Sequence, residues 1–184
     1  MRHWDDTWME VAQVIAFRSL CSRAKVGCVI VTSENRIVAT AYNGPPHGFD
    51  HRDLPCTEWC DRGRTNGEVQ TCPSSHAEQN AFMAADRSTW QHGVLFVTGH
   101  VCTECAKLIA NSGLSRIVVQ PDAQPREYRN SDDSYKFIRS LGIGVEIWRQ
   151  QTPPDPDSLP TIFMEGHNQI QVKTVGGQWM NVVR

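Results

Sequence analysis

The chain has 184 residues, of which 40% are hydrophobic and 21% charged, with 18 Lys and Arg against 20 Asp and Glu for a formal net charge of −2. This is ordinary globular composition: it argues against wholesale disorder and against a strongly basic domain that coats nucleic acid, though not against a local basic patch. No apolar window of about 18 residues occurs, so no membrane span is expected.

The N-terminal Met1-Arg2-His3-Trp4-Asp5-Asp6 lacks the apolar core of a signal peptide. Seven cysteines in a chain read as leaderless point to the cytoplasm, where metal or catalytic thiols are more common than a disulfide framework. Trp4, Trp8, Val11 and Ile15 recur at helical spacing, and a helix is expected over about 5–20, with Thr7 and Glu10 as a capping box. Residues 26–32 and 36–42 are β-rich runs around the turn Ser33-Glu34-Asn35, the pattern of a hairpin. A segment from 43 to 75, rich in Gly, Pro, Cys and charge, follows; so long a stretch without structure of its own is uncommon in a compact domain and calls for something to hold it.

Beyond it helices are expected over 77–85, 105–111 and 132–141, and strands over 94–98, 116–120 and 143–148. This alternation means an α/β fold with partly parallel pairing. Pro153-Pro154-Asp155-Pro156 breaks the pattern and reads as a boundary, giving a domain over 1–150 and a proline-rich linker with a tail over 151–184. Within the tail, 170–175 and 179–183 flank Gly176-Gly177 and spell a β-hairpin.

Two short groups carry the strongest chemical signal. His76-Ala77-Glu78 opens one expected helix and Cys102-Thr103-Glu104-Cys105 opens another. Cysteines three apart on a helical turn turn both sulfurs to one side, and the positive end of the helix favours thiolate, the form that binds zinc. A histidine from the other helix completes three protein ligands, which is the catalytic zinc arrangement: the fourth position is left to water, whose pKa falls toward neutrality. Glu78 is not needed as a ligand and stands where it can shuttle protons. The zinc nucleobase deaminases share this pattern, H-x-E followed by P-C-x-x-C. One departure is Val101, which occupies the place of the proline.

The chain resembles the deoxycytidylate deaminases of the cytidine deaminase-like superfamily, phage members included, from about Trp8 to Trp148. Besides the zinc motif, the matching segments run from Cys21 through Arg23, Lys25 and Gly27 to Val31, from Tyr42 through Asn43, Gly44 and Pro45 to Gly48, and from Cys102 to Ile109. The resemblance implies a three-layer α/β/α fold with a mixed five-stranded sheet, and hydrolytic deamination of dCMP to dUMP that supplies thymidylate synthesis. It further implies a homohexamer activated by dCTP and inhibited by dTTP, with magnesium accompanying the effector nucleotide. It implies zinc on His76, Cys102 and Cys105, with Glu78 as the proton carrier and the backbone around Ala77 against the base edge. By family position Asn43 meets the sugar hydroxyl, its alternative being a turn residue before Gly44. Arg23 meets the 5′-phosphate or is a solvated loop charge; Lys25 and Tyr128 are further phosphate candidates. Glu104 either touches base or sugar or caps its helix.

Cys56, Cys60 and Cys72 all fall in the long segment, and with His51, or with His47 as its rival, they would make four ligands for a second, structural zinc. A polynucleotide deaminase shares the zinc motif but is expected to be more basic and to carry stacking aromatics around its pocket, so net charge −2 disfavours a nucleic-acid partner. A non-catalytic zinc scaffold of the same fold would have no use for Glu78.

Overall fold

The computed structural model describes residues 3–21, 24–49, 72–121 and 131–149, together with the backbone of strands within 161–182. The chain divides into two compact units, Met1–Arg149 and Gln150–Arg184.

The first unit is organised around β1 (Gly27–Val31), an unbroken apolar run that is buried along its whole length. Such a run suits a strand covered on both faces. It pairs antiparallel with β2 (Ile37–Tyr42), whose alternating exposed and buried positions mark a sheet edge. On its other side β1 pairs antiparallel with β3 (Val94–Val97), which continues in parallel to β4 (Arg116–Val119) and β5 (Gly144–Ile147). The sheet order is therefore β2-β1-β3-β4-β5, the mixed five-stranded sheet expected.

Helix α1 (Trp4–Ala16) covers one face, where Trp8, Met9 and Ala12 pack on Val29, Val31, Phe96 and Val118. The opposite face is covered by α2 (Ala77–Met83), α4 (Thr103–Ser112) and α5 (Ser131–Ser140), with Ala77, Ala81, Ile109 and Ile138 packed on Cys28, Ile30, Leu95, Val97 and Ile117. The short α3 (Arg87–Trp90), absent from the sequence reading, buries Trp90 ahead of β3. The result is three layers, α/β/α. Gly27 is required where α1 crosses β1: a Cβ there would stand 1.9 Å from the carbonyl oxygen of Ala12. Gly113 ends α4 in the left-handed region at φ 85°, which only glycine adopts without cost.

The first helix differs from its expected form. It begins at Trp4, one residue before the expected start, where the His3 ring accepts the Asp5 N–H at 3.3 Å. Thr7 is thus inside the helix, where its hydroxyl donates to the His3 carbonyl, and it does not cap. The helix also stops at Ala16 and not near 20, since the Ser19 hydroxyl turns away to donate to the Asn43 carbonyl at 2.7 Å. Asp5 and Asp6 in its first turn are buried. Asp5 is held by both terminal guanidinium nitrogens of Arg116, each at 2.8 Å, and Asp6 accepts from the Trp148 indole at 3.1 Å. These bonds fix α1 to β4 and to the segment after β5.

The second unit is a three-stranded antiparallel meander, β6 (Thr161–Glu165), β7 (Gln169–Lys173) and β8 (Trp179–Val182). The expected hairpin is its β7–β8 pair, and β6 adds a third strand. No helix among the described residues is long and apolar enough to cross a membrane.

Candidate functional site

Two helix starts meet at the edge of the sheet's α2/α4 face. His76 is the N-cap of α2 and Cys102 the N-cap of α4, both in extended backbone conformation just before the first turn. The His76 N–H, an otherwise orphaned donor at a helix start, donates to the Gln79 side-chain oxygen at 2.8 Å. The Cys105 N–H donates to the Cys102 sulfur at 3.5 Å, so α4 turns its positive end onto that sulfur.

The two starts bring His76, Cys102 and Cys105 together. The His76 Nδ1 stands 3.3 Å from the Cys105 sulfur and 3.4 Å from that of Cys102, and all three ligand atoms lie within 4.8 Å of one another. A tetrahedral zinc with Zn–S of about 2.3 Å and Zn–N of about 2.0–2.1 Å separates its ligand atoms by about 3.5–3.8 Å. The two nitrogen–sulfur distances fit that ion with shifts of a few tenths of an ångström. Nitrogen plus two sulfurs is also a donor set zinc prefers.

The electrostatics agree. The Cys102 thiol is lowered to about 3, chiefly by a hydrogen bond from the Cys105 thiol, with His76 and the Cys105 N–H adding to it against the opposing effect of burial. Cys105 is pushed far up, first by that same bond, then by burial and by the negative charge of Glu78.

Glu78, in the first turn of α2, is 3% exposed. Its carboxylate lies against the Cys105 thiol. Burial pushes up the thiol of Cys28 on β1, and the charge of Glu78 adds to that. A buried carboxylate beside the metal ligands, at the positive end of a helix, is placed to exchange protons there. Ala77 is fully buried between His76 and Glu78.

The Asn43 side chain bonds to the backbone ahead of β1. Its side-chain oxygen accepts the Val26 N–H at 2.8 Å and its amide donates to the Ala24 carbonyl at 2.9 Å. It thereby clamps the segment leading into β1. Next to it, Gly44 and Ser75 exchange backbone hydrogen bonds at 2.9 and 3.1 Å, and the Asn80 amide donates to the Tyr42 carbonyl at 2.8 Å. The two ends of the long segment are thus tied together beside the start of α2.

Glu104 is set apart from these groups, 70% exposed at the side chain and paired with Lys107 at 2.7 Å. Lys25 and His47 are exposed. Cys72 is half-buried with a free thiol. Arg23, Tyr128, His51, Cys56 and Cys60 lie outside the described residues. The sequence reading missed Gln79 and Asn80. Gln79 had a signal, a Gln three residues after an N-cap. Asn80 had none, since a mid-helix Asn bonding a distant carbonyl leaves no local pattern.

Fold and donor set together define a zinc-binding protein of the three-layer α/β/α class. A model of the cytidine and deoxycytidylate deaminase zinc-binding region matches residues 2–120. The chain belongs to the cytidine and deoxycytidylate deaminase family. It is 34% identical over 143 residues to the deoxycytidylate deaminase of Saccharomyces cerevisiae, a match covering 77% of this chain and 44% of the yeast protein. To the human deoxycytidylate deaminase it is 33% identical over 131 residues, covering 71% of this chain and 70% of the human one. The chain spans less than half the length of its two yeast relatives. Among solved structures it is similar to the dCMP deaminase of cyanophage S-TIM5 in complex with dCMP and dUMP. That likeness has a TM-score of 0.61 and 28% identity, and covers 78% of this chain and 95% of the phage protein.

Proposed function

We propose that the chain is a zinc-dependent deaminase that hydrolyses dCMP to dUMP and ammonia. The observation that carries this reading is the meeting of His76, Cys102 and Cys105 at two helix starts, with buried Glu78 against Cys105. The relatives named deoxycytidylate deaminase and the phage structure holding dCMP and dUMP support the choice of substrate.

His76 through Nδ1, with the Cys102 and Cys105 sulfurs, would hold the zinc. When bound, zinc supplies Lewis acidity that makes water a nucleophile near neutral pH. The chain's own residues do the rest. Glu78 accepts the proton of the attacking water on its carboxylate and returns protons to N3 of the cytosine and to the departing ammonia. The backbone at Ala77 meets the base edge. Asn43 holds residues 24–26 in place, and in this reading the amide capacity it retains meets the sugar hydroxyl. Arg23 takes the 5′-phosphate, since a guanidinium fork matches phosphate oxygens, with Tyr128 as a second contact. Glu104, exposed and paired, is assigned to the start of α4 and not to the substrate.

The family resemblance extends the proposal to a second zinc on His51, Cys56, Cys60 and Cys72, to a homohexamer, and to dCTP and dTTP as opposing effectors with magnesium. Metal analysis and the activity response to each nucleotide test these extensions. The central reading is tested by ammonia release from cytidine, deoxycytidine, CMP, dCMP, dCTP and a single-stranded oligonucleotide. The expected result is dCMP as the preferred substrate. Equal turnover of deoxycytidine, or preference for the oligonucleotide, would overturn it.

A further inference from the structure

The loop that delivers Cys102 runs from the end of β3 to the start of α4 and departs from the family pattern at Val101, where proline is the rule. Proline at such a position narrows the backbone choices of its own residue and of the one before it, and so pre-orders the loop. Without it, something else must fix the loop.

The structure shows anchors at both ends. At one end, Thr98 is doubly bonded to Gly27: its hydroxyl accepts the Gly27 N–H at 2.9 Å and its N–H donates to the Gly27 carbonyl at 3.0 Å. At the other, the Cys102 carbonyl accepts the Ala106 N–H at 2.9 Å. Between them Val101 is fully buried in the same core as Cys105, Tyr135 and Ile138. His100 reaches out of the loop, its Nδ1 standing 3.1 Å from the Tyr135 hydroxyl. Tyr135 lies on α5, is 5% exposed, and sets its ring at 6.4 Å from the imidazole.

We propose that His100 and Tyr135 are positioning residues which, with buried Val101, take over the proline's task of holding Cys102 at the metal. The brace runs from α5 through the His100–Tyr135 hydrogen bond into the loop and ends two residues before Cys102. The Val101 N–H donates to no described residue, so a proline there removes no described hydrogen bond. Neither residue touches the reacting atoms in this reading.

The inference rests on the zinc assignment for His76, Cys102 and Cys105, and the test separates the two. Zinc affinity of the full chain is measured by chelator competition, and the thiolate-to-metal absorption of the cobalt-substituted protein reports the Cys102 geometry. Metal-free melting serves as the control for general stability. A single net hydrogen bond corresponds to about 2- to 10-fold in an equilibrium constant. Tyr135→Phe, which keeps the ring, is expected to weaken zinc by that factor and to alter the cobalt spectrum. Adding Val101→Pro to Tyr135→Phe is expected to recover affinity to within about twofold of the native chain. His100→Ala combined with Tyr135→Phe is expected to lose less than the sum of the two single losses, because the two variants share the His100–Tyr135 link. Wild-type protein that takes up no zinc would defeat the metal assignment itself. Zinc uptake with native affinity and spectrum in Tyr135→Phe, or strictly additive losses in the double variant, would overturn the brace and leave the assignment standing.

Discussion

The metal end of the site and its proposed sugar end are built on different principles. At the metal end every proposed ligand sits on the first turn of a helix or just before it, on elements packed into the core. The backbone there has one conformation to adopt, and the helix ends supply the positive field the thiolates need. At the other end Asn43, Ala24 and Val26 lie on connecting segments, and their order comes from side chains bonding to backbone: Asn43 to 24 and 26, Ser19 to 43, Asn80 to 42. The first end is a feature of secondary structure, whereas the second is a lattice of single hydrogen bonds. Damage to the first should remove chemistry outright, while damage to the second should degrade binding and stability and leave the metal in place.

The largest effect is therefore expected at Cys102. Cys102→Ser replaces a thiolate held near a pKa of 3 with a hydroxyl that stays protonated. Zinc should be lost, and with it several kcal/mol of transition-state stabilisation, on the order of 10³-fold or more in rate. Paired measurements of zinc content and dCMP turnover check this; native activity in a zinc-free Cys102→Ser protein contradicts the ligand set.

Glu78 comes next. Glu78→Gln keeps the shape and most of the hydrogen bonding of a buried side chain but cannot carry a proton. Zinc content and substrate affinity should be unchanged while kcat falls by about 10²–10⁴-fold. A fall of less than about tenfold would mean that another group carries the proton. The contrast with Cys102→Ser separates holding the metal from using it, two functions that lie within one helix start of each other.

The contrast also explains what was legible in the sequence. The metal end was readable because helix starts impose fixed local spacing: two cysteines three apart, and His76 two before Glu78. The β1–β2 hairpin and the later alternation of helix and strand were readable from periodicity for the same reason. The sugar end was not, since Asn43 bonding to residues 24 and 26 leaves no local trace. Nor were the partners of the buried Asp5 and Asp6, which are Arg116 and Trp148, 111 and 142 residues further along the chain. The cap and the end of α1 were misjudged on similar grounds: Thr7 looked like the cap, and it is the His3 ring that serves. Local chemistry writes itself into the sequence, and long-range hydrogen bonds between unlike partners do not.

The smallest of the three effects, and the one that probes the lattice itself, is expected at Asn43. At 9% exposure it sits among backbone groups that have little access to water. Asn43→Ala removes the acceptor of the Val26 N–H and the donor to the Ala24 carbonyl, so two main-chain groups at the approach to β1 lose their partners. Leaving a buried donor or acceptor unsatisfied costs about 1–3 kcal/mol. For two such groups, about 2–6 kcal/mol in a chain of this size, that is a fall in melting temperature of roughly 4–24 °C. Because Arg23 immediately precedes the clamped residues, KM for dCMP should rise more than KM for deoxycytidine, while zinc content stays at the native level. Asn43→Asp is the harsher variant: it keeps an oxygen for the Val26 N–H but sets a carboxylate oxygen against the Ala24 carbonyl. Its melting temperature should fall at least as far as that of Asn43→Ala. Zinc lost from either variant would mean that the two ends are not built independently, and that the clamp on residues 24–26 reaches the metal through β1 and the Gly27–Thr98 bonds.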